Sequence, residues 1–411
     1  MTAPARLIPL VCLAEVLTMV GVFAFPALLP LFLADWGLSN TEAGWIAGMF
    51  YAGYTVAVPV LMSLTDRVDA RLIHIAGAAL AAVAYAAFAG LADGFWSATL
   101  WWTLAGVGLA GTYMPGLRTL VDRLGGQGES RAVAFYTSCF SLGTALSFLL
   151  AGEIGARFGW RAAFAVGAAT AGLAALLMAL ALRPVTPKPP DQPTRLLDFR
   201  PILGNRPALG YMLGYGAHTL ELFAFRAWLV AFLAFSLSLG ADGGPAPTVI
   251  ATVASLVAVA SSIIGQELGT RFGRRRTIAL TLAVAVLAAG GIGFAAALPY
   301  AWTVGLILAY AVVIQADSAS LTAGVVAAAE PGRRGATLAL HSVMGFAGGF
   351  VGPFALGVIL DLMGGATTPL AWGLAFAFLS LTSALGLWAL AWSGGGFRSL
   401  GRDGEGPTAG L

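Results

Sequence analysis

Charge is what this chain has least of. Only 10% of its 411 residues are Asp, Glu, Lys or Arg, against 59% hydrophobic residues and a mean hydropathy of +0.86. Soluble domains carry about 25% charged residues. A chain this poor in charge cannot shield its apolar surface from water, so a soluble enzyme or binding module is excluded and an integral membrane protein is implied. Lysine is nearly missing: Lys188 stands alone against 21 arginines, as in a GC-rich bacterial coding sequence. The two cysteines, Cys12 and Cys139, both lie inside apolar runs and give no disulfide framework and no metal motif. No G-x-x-x-x-G-K-S/T loop occurs, so nothing would cradle the phosphates of ATP. There is also no nucleophile elbow and no metal-ligand constellation. The polar stretches are too short for a catalytic domain. The sequence therefore argues against an enzyme, and no cofactor or metal is expected. The net charge of +3 is no signal for nucleic acid, because the basic residues fall in short loops between apolar runs.

What the chain has in abundance is apolar runs. A bilayer span needs roughly 20 mostly apolar residues at ~1.5 Å rise each. Twelve such segments can be marked, at 7–33, 43–64, 72–92, 95–120, 132–155, 162–182, 208–236, 247–268, 277–298, 301–328, 336–361 and 369–393. The first holds Glu15 and has no small-residue cleavage site, so it reads as a retained span rather than a signal peptide. One connection is long: residues 183–207, proline-rich and charged. It divides the chain into a six-span half at 1–182, a central loop at 183–207, a second six-span half at 208–393 and a tail at 394–411. Placing the N-terminus inside puts nineteen of the 22 basic residues on the inner side, among them Arg6, Lys188, Arg195, Arg398 and Arg402. Arg157 and Arg161 fall outside, and Arg226 lies within a span. By the positive-inside rule both termini are cytoplasmic.

The halves echo each other. MSLTDRVDAR at 62–71 corresponds to QELGTRFGRR at 266–275, an offset of 204, and GTALSFLLAG at 143–152 corresponds to GGFVGPFALG at 348–357, an offset of 205. Two echoes at nearly one offset argue for an internal duplication, a common feature of transporters whose substrate site lies at the repeat interface. At these residues the chain resembles the major facilitator superfamily. That family's loop 2–3 signature is G-x-L-x-D-R-x-G-R-R/K, matched by Leu64, Asp66, Arg67 and Arg71. Met62 and Asp69 replace its glycines, and Ala70 replaces an arginine. The second copy keeps Leu268, Arg271, Gly273, Arg274 and Arg275, with Thr270 in place of the aspartate. The family's G-W-R-x-x-F is complete as Gly159, Trp160, Arg161 and Phe164. Two features of its proton-coupled drug antiporters are missing. Trp102 stands where they carry an arginine ahead of Gly106, and the glycine–proline motif of span 5 has no proline here, while span 11 carries Gly348, Gly352, Pro353 and Gly357. The resemblance covers essentially the whole chain. It implies an all-α membrane fold of twelve helices in two related halves, a monomer, and spans 1, 4, 7 and 10 lining a central path. It also implies that the motif loops (Asp66, Arg67, Arg71, Arg271, Gly273, Arg275) act in gating.

Ionisable residues inside spans are the functional candidates, since a charge at mid-bilayer costs on the order of 2.5–3.5 kcal/mol even on lenient insertion scales. They are Glu15 in span 1, Arg118 late in span 4, His218, Glu221 and Arg226 in span 7, Asp317 in span 10 and His341 early in span 11. All but His341 fall on the four lining spans. Glu221, near the midplane, is the preferred proton-coupling group, with His218 three residues earlier and close enough to hydrogen-bond it. Arg226 lies about 140° round the helix from Glu221, so its expected partner is Glu15, Asp317 or an anionic substrate. Asp317 sits in the polar stretch QADSASLTAG and would share a face with Tyr310, seven residues earlier. Substrate contact, proton coupling and simple helix–helix hydrogen bonding all fit it. Glu15 and Arg118 could pair as an inner gate, or Arg118 could snorkel to the interface. His74 reads as interfacial and inert, and Glu153 and Asp361 as interfacial groups at matching ends of spans 5 and 11. The resulting expectation is a proton-coupled secondary transporter working by alternating access in a bacterial inner membrane. Its mixed-sign cavity favours an anionic or zwitterionic metabolite. Efflux of drugs or other amphiphiles is the alternative, and a transporter-shaped receptor without flux is a third reading.

Overall fold

A computed structural model of the protein describes residues 4–124, 129–186, 199–200, 202–240, 243–330 and 333–396. Most of the central loop (187–198 and 201, with Lys188 and Arg195) and of the tail (397–411, with Arg398 and Arg402) lies outside the described residues. The apolar runs become α-helices joined by short turns, and no strand occurs among the described residues. Ten of the twelve expected spans are long and apolar enough to cross a membrane. These are α4 (Asn40–Leu64), α5 (Ala70–Leu91), α7 (Glu129–Phe158), α8 (Trp160–Ala181), α9 (Arg206–Leu239), α10 (Pro247–Phe272), α11 (Arg274–Ile292, continued by a 3-10 turn to Ala297), the pair α12 (Tyr300–Gln315) and α13 (Ser318–Ala328), α14 (Arg334–Leu362) and α15 (Pro369–Ser393). The other two spans are α6 (Phe95–Leu124) and the first segment. The first segment breaks into α1 (Pro4–Met19), α2 (Ala24–Ala27) and α3 (Leu29–Asp35). All twelve expected segments are therefore helical, and two of them are interrupted.

The turns follow local chemistry. Ser39 caps α4 in a capping box with Glu42, each serving the other's backbone N–H. Asp69 caps α5, Asn205 caps α9 and Thr368 caps α15 through their side chains. Two helix-to-helix junctions need a positive φ, and glycine fills both: Gly159 at 83° and Gly273 at 94°.

Two of the motif arginines, Arg71 and Arg275, staple helices together. Arg71, at the start of α5, donates from Nε to the Met178 carbonyl at 3.0 Å and from Nη2 to the Ala179 carbonyl at 2.5 Å. Arg275, its counterpart 204 residues later, starts α11 and donates to the Leu390 carbonyl at the end of α15. Each guanidinium satisfies carbonyls at the C-terminus of another helix of the same chain half, where a cation is favoured. Asp69 is bound by Arg123 at 2.9 Å and by the Val185 N–H at 2.8 Å. Among the gating candidates Arg67 is exposed, Arg271 stacks on its neighbour Phe272, and Gly273 supplies the turn.

The two chain halves meet along α4 and α14, along α7 and α10, and where α9 touches α2 and α3. Glycine permits the closest approaches: Gly44 lies on the Pro353 carbonyl and Gly357 on the Asn40 carbonyl, with no room for a β-carbon. At the face of the bundle remote from the chain termini, Asp361 of α14 crosses to the N-terminus of α4. Its Oδ1 accepts from the Asn40 backbone N–H (3.1 Å) and Nδ2 (2.8 Å), and its Oδ2 accepts from the Thr41 N–H at 2.7 Å. A residue read as merely interfacial is thus a carboxylate cap on a helix of the other half, supported by that helix's dipole. Because this cap is a single group, Asp361→Ala should lower the unfolding free energy by about 1 kcal/mol, the usual cost of losing a cap. Asp361→Asn, which keeps an acceptor, should cost less. Thermal unfolding of the detergent-purified variants measures both.

Candidate functional site

Helix α9 is the axis of the site. In its most apolar stretch 72% of residues are buried, more than in any other of the ten spans, so this helix is surrounded by protein rather than lipid. It packs on α10, α12, α13, α14 and α15 and reaches α2 and α3. That enclosure explains how it can carry His218, Glu221 and Arg226 through a bilayer: each faces protein.

Glu221 is 1% exposed. Tyr310 of α12 donates to its Oε1 at 2.6 Å and Ser383 of α15 donates to its Oε2 at 2.5 Å. Both oxygens are therefore held by hydroxyls, and among the described residues no cation lies within 4 Å. His218 does not hydrogen-bond Glu221 as its spacing suggested. Its Nδ1 stands 2.8 Å from Asp317 Oδ1, and both side chains are 2% exposed. Its Nε2 has no partner among the described residues. Asp317 sits at the break Ala316–Asp317, where α12 ends and α13 starts. Tyr310 and Asp317 on either side of it both turn to α9, one to Glu221 and the other to His218. The polar stretch beginning QADS is thus a helix interruption. Ser320 next to it donates to the Gln266 side chain at 3.1 Å, and Gly265 of α10 lies on the Ala316 carbonyl.

Beneath this pair His341 stacks on Tyr215 with ring centroids 3.9 Å apart. Tyr215 also faces His218 at 5.9 Å, and His341 Nε2 lies 3.3 Å from Thr322 Oγ1. Arg226 meets neither Glu15 nor Asp317. Its Nη2 donates to Gln315 Oε1 at 3.3 Å, and its guanidinium lies 5.9 Å from the Phe23 ring.

In the N-terminal half, Glu15 is fully buried and accepts from the Tyr136 hydroxyl at 2.8 Å, with its Oε1 unpartnered. It forms no gate with Arg118, which is bound to Asp122 at 2.8 Å and lies 3.6 Å from Asp66 near the chain-terminal face. His74 lies one turn into α5. It is completely buried, with Nδ1 3.1 Å from the Thr112 carbonyl. An aromatic layer lies between the halves: Tyr51 on Phe223 at 4.2 Å and Tyr54 on Phe346 at 3.8 Å. A separate cavity of about 280 Å³ between α4, α5 and α6 is lined only by apolar residues such as Leu61, Leu72, Leu80 and Val107, so it offers no chemistry.

The structure thus gathers His218, Glu221, Asp317, Arg226 and His341 around α9, keeps Glu15 in a separate cluster and moves Arg118 to the periphery. Tyr136 and Ser383 carried no sequence signal, since a lone hydroxyl in a span is as often a backbone partner as an acid's donor, and Gln315 was visible only as the first residue of the polar stretch QADSASLTAG.

Buried ionisable groups around one interior helix, in a bundle of twelve spans, define a multi-pass membrane transporter. The chain belongs to the Major Facilitator Superfamily, whose family model matches residues 11–316. It is 27% identical over 215 residues to the probable sphingolipid transporter spinster homolog 2 of Arabidopsis thaliana; the match covers 47% of this chain and 44% of that protein's length. It is 25% identical over 356 residues to the probable transporter SCO4007 of Streptomyces coelicolor, covering 84% and 80% of the two chains. The fold matches a bacterial homolog of the human lysosomal transporter Spinster, in an inward-facing and occupied conformation, at a TM-score of 0.73 and 17% identity over 96% and 97% of the two chains. It also matches the nucleoside transporter NupG at 0.76 and 14% identity over 95% and 98%.

Hydrogen bonds inside membrane proteins average about 0.6 kcal/mol and reach about 1.7. Tyr310→Phe and Ser383→Ala should each cost an amount in that range, and the double variant should depart from additivity because both donors serve one carboxylate. Thermal unfolding of the three variants in detergent tests this.

Proposed function

We propose that this protein is a proton-coupled secondary transporter moving a small organic solute, anionic or zwitterionic, across a bacterial inner membrane. The observation that carries the coupling is Glu221. A carboxylate buried without a counter-charge is costly, and this one has only hydroxyl donors, so taking up a proton removes the charge without dismantling the packing. His218 beside Asp317 gives a second exchangeable position within the same half. The arginine distribution supports placing the face with the termini in the cytoplasm. The Asp361 cap then closes the external side. The chain halves at 1–182 and 208–393 rock against each other for alternating access, the cap breaking when the outside opens, and a monomer suffices for this cycle.

The test is transport by the purified protein in proteoliposomes with an imposed pH gradient. Wild type should accumulate solute against its gradient. Glu221→Gln, which keeps a hydrogen-bonding partner for Tyr310 and Ser383, should retain gradient-independent counterflow and lose accumulation. Accumulation by the variant at the wild-type level would remove Glu221 from the coupling role.

A further inference from the structure

Three carboxylates and one guanidinium share the middle of the molecule, and they are not disposed alike. Glu15 is held by Tyr136, Glu221 by Tyr310 and Ser383, and Asp317 stands against His218. Each of these contacts lies within one chain half, and each acid is almost completely buried. Arg226 differs in what it meets. Among the described residues no carboxylate comes within 4 Å of it, its hydrogen bond is to the neutral Gln315, and it reaches across the division toward Phe23. It is also 6% exposed, so the guanidinium is buried as well as uncompensated.

From this we infer the substrate class, building on the transport function proposed above: the solute is an amphipathic organic anion whose negative group binds Arg226. A buried cation without a partner carries a desolvation cost of several kcal/mol that an incoming oxyanion offsets. The planar guanidinium suits a carboxylate or phosphate in particular, since it can donate two parallel hydrogen bonds. Gln315 beside it supplies an amide donor once its oxygen is released. The apolar body of the solute lies along the aromatic layer of Tyr51, Phe223, Tyr54 and Phe346 between the halves. An ammonium group, in contrast, meets a like charge at Arg226, and the three acids are buried within their own halves. Cationic amphiphiles and zwitterions are therefore poor substrates, which argues against the drug-efflux reading.

The test uses four probes with the same aromatic ring: 4-phenylbutyrate, 4-phenylbutanol, 4-phenylbutylamine and phenylalanine. Each is titrated against the purified full-length protein while its thermal stability is followed, because a ligand that binds the native state raises it by mass action. The carboxylate should stabilise wild type more than the alcohol does, and the amine and the amino acid should stabilise it least. Arg226→Gln should weaken carboxylate binding about tenfold or more, the usual value of a hydrogen bond to a charged group, with Arg226→Lys intermediate and the response to the alcohol unchanged. If Arg226→Gln does not fold, Arg226→Lys and Gln315→Leu carry the test, each weakening the response to the carboxylate alone. The inference is overturned if the carboxylate gives no shift, if the amine or phenylalanine matches it, or if the variants bind it as wild type does. Counterflow of 4-phenylbutyrate under a pH gradient separates this inference from the coupling it builds on. Arg226-dependent binding with transport indifferent to the gradient sinks the proton coupling and leaves the anion site standing. Gradient-driven transport that ignores Arg226 does the reverse.

Discussion

A polar group in the middle of a bilayer has no water to fall back on, and the rest of this structure is arranged around that constraint. Each acid in the interior has found a hydroxyl or an imidazole on a neighbouring helix: Glu15 on α7, Glu221 on α12 and α15, Asp317 on α9. These contacts knit helices within a half and leave the boundary between halves mostly to glycine, aromatic rings and backbone. A boundary of that kind can slide, because little desolvated charge has to be torn apart when it moves. Arg226 is the exception: among the described residues its hydrogen bond is to the neutral Gln315, and it reaches across the boundary toward Phe23.

The internal repeat shows the same economy in the staples. Arg71 and Arg275, 204 residues apart, each bind carbonyls at the end of the last helix of their own half. They stiffen each half without touching the other. The tie across the boundary sits at one face instead, where Asp361 caps α4 among the first residues of that helix. Because the Asp361 carboxylate is near the surface, water can replace its partners, and such a contact can be broken at modest cost.

Most of the fold was legible in the sequence. Twelve apolar runs, a charged central stretch and an offset of 204–205 led to twelve helical segments, because in lipid every backbone group must bond within its own segment and a helix is the simplest way to do so. The site was legible in its membership but not in its pairing. The cost of intramembrane charge singled out His218, Glu221, Arg226, Asp317 and Glu15 correctly as interior groups. Spacing along one helix then suggested His218 with Glu221, and depth allowed Glu15 with Arg118, and neither pair forms. Asp317 meets His218 from a break at Ala316–Asp317, and no composition signal separates a polar break from a polar face. The partner of Asp361 was hidden for a related reason: depth along a helix can be counted, but the element packed against it cannot.

What the sequence determined by itself was the class of molecule, the number of spans and the set of charges that must avoid lipid. Hydropathy and the cost of burying charge act residue by residue, so they can be read without knowing any neighbour. What only the tertiary structure decided was who meets whom: hydroxyls with the acids, an imidazole with Asp317, a carboxylate on a distant helix end, and Gln315 with Arg226. Those pairings act over a few ångströms between segments hundreds of residues apart, as between Asn40 and Asp361. Helix rotation and crossing fix them, and a linear string of residues records neither.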